Sequence, residues 1–395
     1  MEEKTTYSRP QRRNPVQRNR KLQSRYLAYG LLGLVLLFVI LGLFTKDRSF
    51  SESENRNLTQ ASDLTAQSLA DGSFFSTLSS YTADQFPGRD MWMGLNFKLN
   101  RFLGQKEFSG VYLCEDGYLM QVPGEPNTIQ LQRNLDAINA FGQSHSNLNT
   151  VISIVPNAVT VLDHLLPKNA PVRNQLADLQ GIQTALTSAD FVDVTDTLRQ
   201  HTDQQLFYRT DHHWTSLAAY YSFGQIASSL NIDAPALDSY TRYIVSDSFE
   251  GTLSSKSGSH TVRDTVEIFA PDTPIEYYVS YNTGDNDICS LYVRDALNTK
   301  DHYTVFFGGN HARVDITTTA DTGRSLLLLK DSYANCFVQF LYPYFDHITM
   351  VDPRYYYDNL ENVITSETIT DVLFLYNLDT FLSDTSLADV LDAGT

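Results

Sequence analysis

Residues 324–341 read RSLLLLKDSYANCFVQFL. An unbroken apolar run without polar alternation fits a strand buried on both faces. It stops at Lys330-Asp331-Ser332, and a helical segment begins at once. A buried strand that feeds directly into a helix is the unit of an α/β fold with a mostly parallel sheet. The flanking sequence repeats the rhythm. Downstream, HITMVDPR and ITDVLFLYN are apolar strands. Upstream, TVISIVP (150–156) and FVDVTDT are strands; between them PVRNQLADLQGIQTALTSA reads as a helix with Pro171 in its first turn. WTSLAAYYSFGQIASSL is a second amphipathic helix. Residues 236–322 break the alternation. They are rich in Ser, Thr, Tyr and Asp, and are expected to form a β-rich insertion with loops such as GTLSSKSGSH. Ahead of the α/β part, TIQLQRNLDAINAFGQSH has helical spacing, and GVYLCEDGYLMQV reads as two short strands around Asp116-Gly117. Internal repeats are absent.

Charge is divided unevenly. Residues 1–25 hold eight basic and two acidic residues, a net of +6, in a chain of net charge −17, so the remainder carries −23. A body that acidic does not seek nucleic acid. Residues 26–45, YLAYGLLGLVLLFVILGLFT, contain no charge. A helix of that length spans roughly 30 Å, the thickness of a bilayer core. A cleaved signal would have a shorter apolar core followed by a small-residue site. TKDRSFSESENR follows instead, favouring an uncleaved signal-anchor. The basic residues before the span place the N-terminus in the cytoplasm and the body outside. The expected layout is a basic cytoplasmic tail (1–25), a transmembrane anchor (26–45), a polar stalk (46–70) and an extracytoplasmic domain (71–395). Cys114, Cys289 and Cys336 form no CxxC pair, which argues against a structural zinc site or a dense disulfide framework.

Two segments carry chemistry. Ser332 lies where α/β hydrolytic folds expose a nucleophile, with helix amide groups available for an oxyanion; a helix cap is the plainer reading of the same residue. The second segment is LFYRTDHHWTSLAAYY (206–221). A serine hydroxyl needs a base, and the base needs an acid to fix its tautomer. Asp211-x-His213 can set acid and base on one side of an extended segment, and triads are defined by geometry rather than chain order. Asp211 could instead cap the helix that starts near Trp214. A metal reading would recruit His201, His212, His213 and His311, though none has the spacing of a helical zinc pair.

YRTDHHWT, SESENR, DQFPGRD, FFGGNHARV, KDSYAN and DPRYYYDN together resemble the DHHW family of bacterial membrane-anchored proteins, itself similar to SGNH-type hydrolases and alginate O-acetylating enzymes. The resemblance covers nearly everything after residue 48. It implies a three-layer α/β/α domain of SGNH type with permuted block order, the Asp-His block preceding the serine. It implies O-acyl transfer or ester cleavage on a cell-surface or secreted polysaccharide. Ser332 would be nucleophile, His213 base and Asp211 its orienter, with no cofactor and no metal. A membrane-embedded acyl exporter is the implied partner. The oxyanion is assigned to the amide of Tyr333 with Asn377 or Arg354; Asn157 would line the same sheet edge, and Tyr208 and Arg209 could contact carbohydrate. The chain departs from the SGNH pattern in having KDS for GDS, D-x-H for D-x-x-H, and Arg354 for a glycine. A glycan-binding protein without catalysis and a metal-dependent hydrolase using the His pair are the alternatives. Trp214 is expected to anchor its helix in the core. An acceptor glycan calls for an open groove rather than a deep apolar tunnel.

Overall fold

The computed structural model describes residues 15–51, 56–70, 72–281, 286–288 and 290–392. Most of the basic tail (1–14) and Cys289 lie outside the described residues. The chain divides into two compact units, the first reaching Asn96 and the second running from Phe97 onward.

In the first unit the helix Pro15–Phe44 contains one stretch, Leu22–Phe44, long and apolar enough to cross a membrane, with none of its apolar window buried against protein. This is consistent with a single-pass anchor. The residues that follow the helix are joined to one another by ion pairs and hydrogen bonds. Arg56 donates to both oxygens of the buried Asp84, and the Thr59 amide donates to Asp84 Oδ2 at 2.9 Å. Arg48 forks onto Asp90, and Gln85 exchanges hydrogen bonds with the Arg48 backbone. The motifs SESENR and DQFPGRD thus find one another through Arg56 and Asp84. Within the first unit, Arg48 and Arg56 tie the residues that follow the helix to Asp90 and Asp84.

The second unit is built on an eight-stranded sheet. Its strands are β1 (Asn149–Val155), β2 (Asp190–Phe191), β3 (Tyr277–Tyr281), β4 (Asn286–Ile288), β5 (Arg313–Thr318), β6 (Ser325–Lys330), β7 (His347–Val351) and β8 (Asp371–Asn377). They lie side by side in the order β4-β3-β5-β7-β6-β8-β1-β2. From β7 to β2 neighbouring strands are parallel, and β5, β3 and β4 extend one side in antiparallel fashion. Two hydrophobic cores cover the two faces. Leu326 and Leu328 join the one that holds the helices Ser216–Ser229 and Ala334–Leu341; Leu327 and Leu329 join the one that holds Thr128–Ser144 and Gln175–Ala185. Burial on both sides explains why the strand reads as leucine without alternation.

Residues 236–322 are less an insertion than composition suggests. They supply β3, β4 and β5, a hairpin of Tyr240–Phe249 with Asp264–Pro271, and a short helix Thr252–Ser257 inside the expected loop. The helix placed at Pro171 begins later, at Gln175, because the Asn174 side chain accepts from the Ala177 amide and caps it there.

β6 is the pivot of the sheet. The strand after it, β7, lies on one side, and the chain then crosses to β8 on the other. Such a reversal of winding opens a crevice at the carboxyl ends of the strands, where α/β folds place their sites. Lys330, Asn377 and Val155 end the three strands that meet there.

Candidate active site

The Asp-His segment is a bent loop rather than an extended strand. Phe207 bridges to Trp214, and the Tyr208 amide donates to the His213 carbonyl at 3.2 Å, closing the loop at its neck. Thr215, not Asp211, caps the helix Ser216–Ser229 by accepting from the Ala218 amide. Buried Asp264 pins the loop from below: its Oδ1 accepts from the Arg209 amide at 3.0 Å, and its Oδ2 from the amide and hydroxyl of Thr210 at 2.8 and 2.6 Å. With the loop held, Asp211 is free for other work. Its Oδ1 accepts from the His213 amide at 3.0 Å and faces His213 Nδ1 at 2.5 Å. Its Oδ2 accepts from the amide and hydroxyl of Thr252 at 2.7 and 2.9 Å. Burial alone would raise this carboxyl, but the His212 and His213 imidazoles and the Thr252 amide outweigh burial and hold it well below the ordinary range.

Ser332 sits on the turn between β6 and the helix Ala334–Leu341. The cap-like bond belongs to its neighbour: the Tyr333 amide donates to Asp331 Oδ1 at 2.9 Å. Asp331 Oδ2 accepts from the Asn377 amide at 2.9 Å, so one buried carboxylate ties the serine turn to the end of β8. The Ser332 carbonyl accepts from the Tyr303 hydroxyl at 2.9 Å. The Ser332 hydroxyl meets His213 Nε2 at 2.8 Å. An ionised Asp211 can only accept, so His213 carries its proton on Nδ1 and presents the Nε2 lone pair to the serine. The structure therefore brings Asp211, His213 and Ser332 into one hydrogen-bonded chain across 119 residues of sequence.

His213 is held between two rings. Tyr303 stacks on one side with centroids 3.8 Å apart and planes at 15°, and His212 lies on the other at 3.9 Å and 37°. His212 Nδ1 contacts Thr252 Oγ1 at 2.7 Å. Burial and the neighbouring His213 push His212 down to about 4, which leaves it neutral at neutral pH. Beside this pair opens a cavity of about 730 Å³ whose walls include His212, Thr252, Asn157, Asn377, Arg354 and Asp379.

The remaining residues named from sequence separate into three groups. Asn157 and Asn377 reach the cavity and bond to each other at 3.2 Å; Asn377 Nδ2 has only a 3.5 Å contact, to the Val155 carbonyl. Arg354 also lines the cavity, with Nε and one terminal nitrogen bonded to buried Asp352 at 2.8 and 2.6 Å. Tyr333, Tyr208 and Arg209 are not placed to meet a ligand there. Tyr333 is fully buried against Trp214, and its hydroxyl donates to the His212 carbonyl at 2.5 Å. Its amide is occupied by Asp331, so the oxyanion donor assigned to it is already spent. The Ser332 amide, by contrast, has no acceptor among the described residues. Tyr208 is buried edge-on to Phe249 and Tyr303, and Arg209 lies over the Tyr118 ring. Both flank the motif in sequence, but the closed neck of the loop turns Tyr208 into the core and leaves Arg209 half-buried over Tyr118. Trp214 is buried, and its indole donates to the Tyr333 carbonyl at 2.9 Å. Lys330 is buried with Nζ on Asn335 Oδ1 at 2.8 Å and Asn310 Oδ1 at 3.2 Å; burial, partly offset by Asp352, brings it down to about 8.

The metal set is not assembled. His201 stacks on Tyr221, and His311 bonds to the Phe307 carbonyl, both apart from Asp211, His212 and His213. Those three do lie close enough to share an ion. However, the Asp211 oxygens already take four donors, and two lone pairs on each leave none for a cation.

Sequence alone missed Thr252, Asp264 and Tyr303. All three come from the Ser/Thr/Tyr/Asp-rich region, where nothing local sets them apart from their neighbours. Gly251 is a fourth: a Cβ there would lie 2.3 Å from Asp211 Cβ, so only glycine permits the approach.

A layered α/β protein with an acid–imidazole–hydroxyl chain at its strand ends is the class that this geometry defines. The family model described as DHHW protein matches residues 148–351, just over half of the chain, and the chain belongs to that family. A DHHW family protein from Eubacterium siraeum has a similar fold, with TM-score 0.63 and 24% identity over 73% of this chain and 96% of that one. Bacillus cereus PatB1, in a structure carrying a sulfonyl adduct, is similar at TM-score 0.60 and 19% identity, over 72% of this chain and 100% of that one. The O-acetyltransferase domain of Pseudomonas putida AlgJ is more distant, at TM-score 0.43 and 13% identity over 72% and 99%, too loose a likeness to argue from. No protein of curated function matches the chain in sequence.

Proposed function

We propose that this protein is a membrane-anchored, extracytoplasmic O-acyltransferase that carries an acyl group, acetyl in the simplest case, on Ser332 and passes it to a polysaccharide hydroxyl. The observation that carries the reading is the unbroken relay from Asp211 through His213 to Ser332 beside a polar cavity. Ser332 Oγ attacks the donor's carbonyl as its proton moves to His213 Nε2. The imidazolium is stabilised by Asp211 and returns that proton to the leaving oxygen. The Ser332 amide and Asn377 Nδ2 are the donors with capacity to spare for the tetrahedral oxyanion. A glycan hydroxyl then attacks the acyl-serine by the reverse sequence.

A bound acceptor competes with water at about 55 M only if its hydroxyl is held in place. The cavity walls suit a sugar, which has polar edges and apolar faces: amides, hydroxyls, a guanidinium and carboxylates stand among Val122, Leu253 and Leu382. Tyr355 and Tyr357, 48% and 91% exposed on the loop after β7, extend an aromatic surface from Arg354 at the same sheet edge. The anchor would hold the enzyme where a membrane-embedded exporter delivers acyl groups, with the basic tail in the cytoplasm. PatB1 has been captured with a sulfonyl adduct; an activated hydroxyl attacks a sulfonyl fluoride at sulfur and displaces fluoride, so that reagent class supplies a test.

The full chain in detergent micelles is treated with p-nitrophenyl acetate or a sulfonyl fluoride and weighed intact. One adduct that maps to Ser332 and disappears in Ser332→Ala is expected. Adding candidate glycans should then give acetylated glycan. Ester cleavage that never yields acetylated glycan would make the protein an esterase, and an unmodified Ser332 would end the covalent reading.

A further inference from the structure

His212 has no part in the relay, yet it is held as carefully as His213. Its Nδ1 lies 2.7 Å from Thr252 Oγ1, and that hydroxyl lies 2.9 Å from Asp211 Oδ2. A threonine hydroxyl has one proton. Ionised Asp211 can only accept, so the proton points to Asp211, and Thr252 Oγ1 must accept from His212. His212 therefore carries its proton on Nδ1. Its Nε2 is then a lone-pair acceptor, without a partner among the described residues, on a side chain that is 34% exposed and lines the cavity. The depressed His212 pKa agrees with a neutral ring.

The two imidazoles also lie against each other. Both Nδ1 atoms approach the same oxygen, Asp211 Oδ1, at 2.5 Å for His213 and 3.6 Å for His212, and the ring centroids are 3.9 Å apart. His213 Nε2 meets Ser332, and the His212 ring packed against His213 lines the cavity.

We propose that His212 Nε2 receives a second hydroxyl of the acyl acceptor, so that the site selects vicinal diols, as on a sugar ring, over simple alcohols. This rests on the reading of Ser332 as acyl carrier and adds the feature of the acceptor that the site recognises. In the transfer step the attacking hydroxyl gives its proton to His213 Nε2 while its oxygen bonds to the acyl carbon. The bond from that carbon to Ser332 Oγ breaks, and His213 hands the proton to Oγ. The neighbouring hydroxyl keeps its proton and donates it as a hydrogen bond to His212 Nε2. Monofunctional alcohols leave that acceptor to water, and the difference should be about ten-fold, the size of one hydrogen bond.

The test offers the full chain, in micelles with p-nitrophenyl acetate as donor, an equal mixture of 1,2-propanediol and 1-propanol. The ratio of their acetates is read by mass spectrometry. Because the ratio is internal to each protein, any general loss of activity cancels. The wild type should favour the diol about ten-fold per hydroxyl. His212→Ala should bring the ratio close to one, and His212→Gln, whose amide oxygen reaches the Nε2 position, should restore part of it. A wild type without diol preference, which needs no variant to observe, overturns the proposal, as does a preference that survives in His212→Ala. Both of those outcomes leave acetylation of Ser332 intact. A wild type whose Ser332 is never acetylated overturns the acyl-carrier reading, and this one with it.

Discussion

Replacing Gly251 by alanine adds one methyl group, and the structure says where it goes. The new Cβ would lie 2.3 Å from Asp211 Cβ, 2.4 Å from Oδ2 and 2.7 Å from Cγ. Ordinary carbon contacts are about 3.5–4 Å, so Asp211 or residue 251 must retreat by roughly 1 Å or more. Backbone strain plays no part, since Gly251 has φ −82°, open to any residue. The contact alone decides. Asp211 is the acceptor for His213 and Thr252 together, and a shift of that size breaks hydrogen bonds on one side or the other. Overpacking of this kind costs about 1–3 kcal/mol in stability. The rate should suffer more, because a base without its orienting acid loses up to about 10⁴-fold. Acetylation of Ser332 by p-nitrophenyl acetate, followed by intact mass, should therefore slow at least about 10²-fold in Gly251→Ala. Gly224 is the control: it is exposed in the helix Ser216–Ser229 with nothing within 4 Å of its added Cβ. Gly224→Ala should leave the rate alone and stabilise the fold by roughly 0.5–1 kcal/mol. A Gly251→Ala protein that acylates and melts like the wild type would falsify the assignment of Asp211 as the orienting acid.

Other expectations are independent of that site distortion. In Asp211→Asn the amide NH₂ must face either His213 or Thr252, both donors, so unfolding free energy should fall by about 1–3 kcal/mol and Ser332 acylation should fall about 10²-fold or more; an unaffected rate would count against the relay. Lys330 is held at about 8 in the fold against 10.5 as a free side chain. Between those values the unfolded chain binds the extra proton, so wild-type stability should rise as pH goes from 8 to 10.5, by at most about 3 kcal/mol. Lys330→Met should lack that slope, and identical denaturation profiles from pH 7 to 10.5 would refute the buried charge. Burial pushes the Cys114 and Cys336 thiols up to about 12. Native protein should thus take up at most one iodoacetamide among its three cysteines, and rapid labelling of Cys336 would be inconsistent with its position.

What could be read in the sequence was whatever depends on local pattern. The leucines of β6 announce a strand buried twice over, and the polar turn after them announces its end. Asp211, His213 and Ser332 were legible as candidates because their chemistry is rare and their settings distinct. What pattern could not supply was long-range placement. Tyr208 sits beside the motif yet turns inward, and Arg209 lies half-buried over Tyr118 rather than at the cavity. Tyr333 follows the serine yet gives its amide to Asp331. Thr252 and Asp264 stand 41 and 54 residues from the groups they hold, in a region whose composition resembles a solvent-facing loop. Asp84 and Arg56, 28 residues apart, likewise join segments that composition separates.

The middle region also explains how a serine and its base can lie so far apart in the chain and still keep a 2.8 Å contact. Each half of the relay is fixed to something other than its partner. The Asp-His loop is fixed by Asp264 and Thr252, and the serine turn by Asp331 to β8. Tyr303, from the same middle region as Asp264, joins the halves: its ring stacks on His213 while its hydroxyl holds the Ser332 carbonyl. Residues 236–322 therefore act as the frame on which base and nucleophile are registered, and their β5 and β3 carry that frame into the central sheet. A frame of this kind makes the order of the two motifs along the chain immaterial. It also leaves the His212 ring at the cavity wall, since Asp264, Asp331 and Tyr303 hold the loop and the turn without lining the cavity.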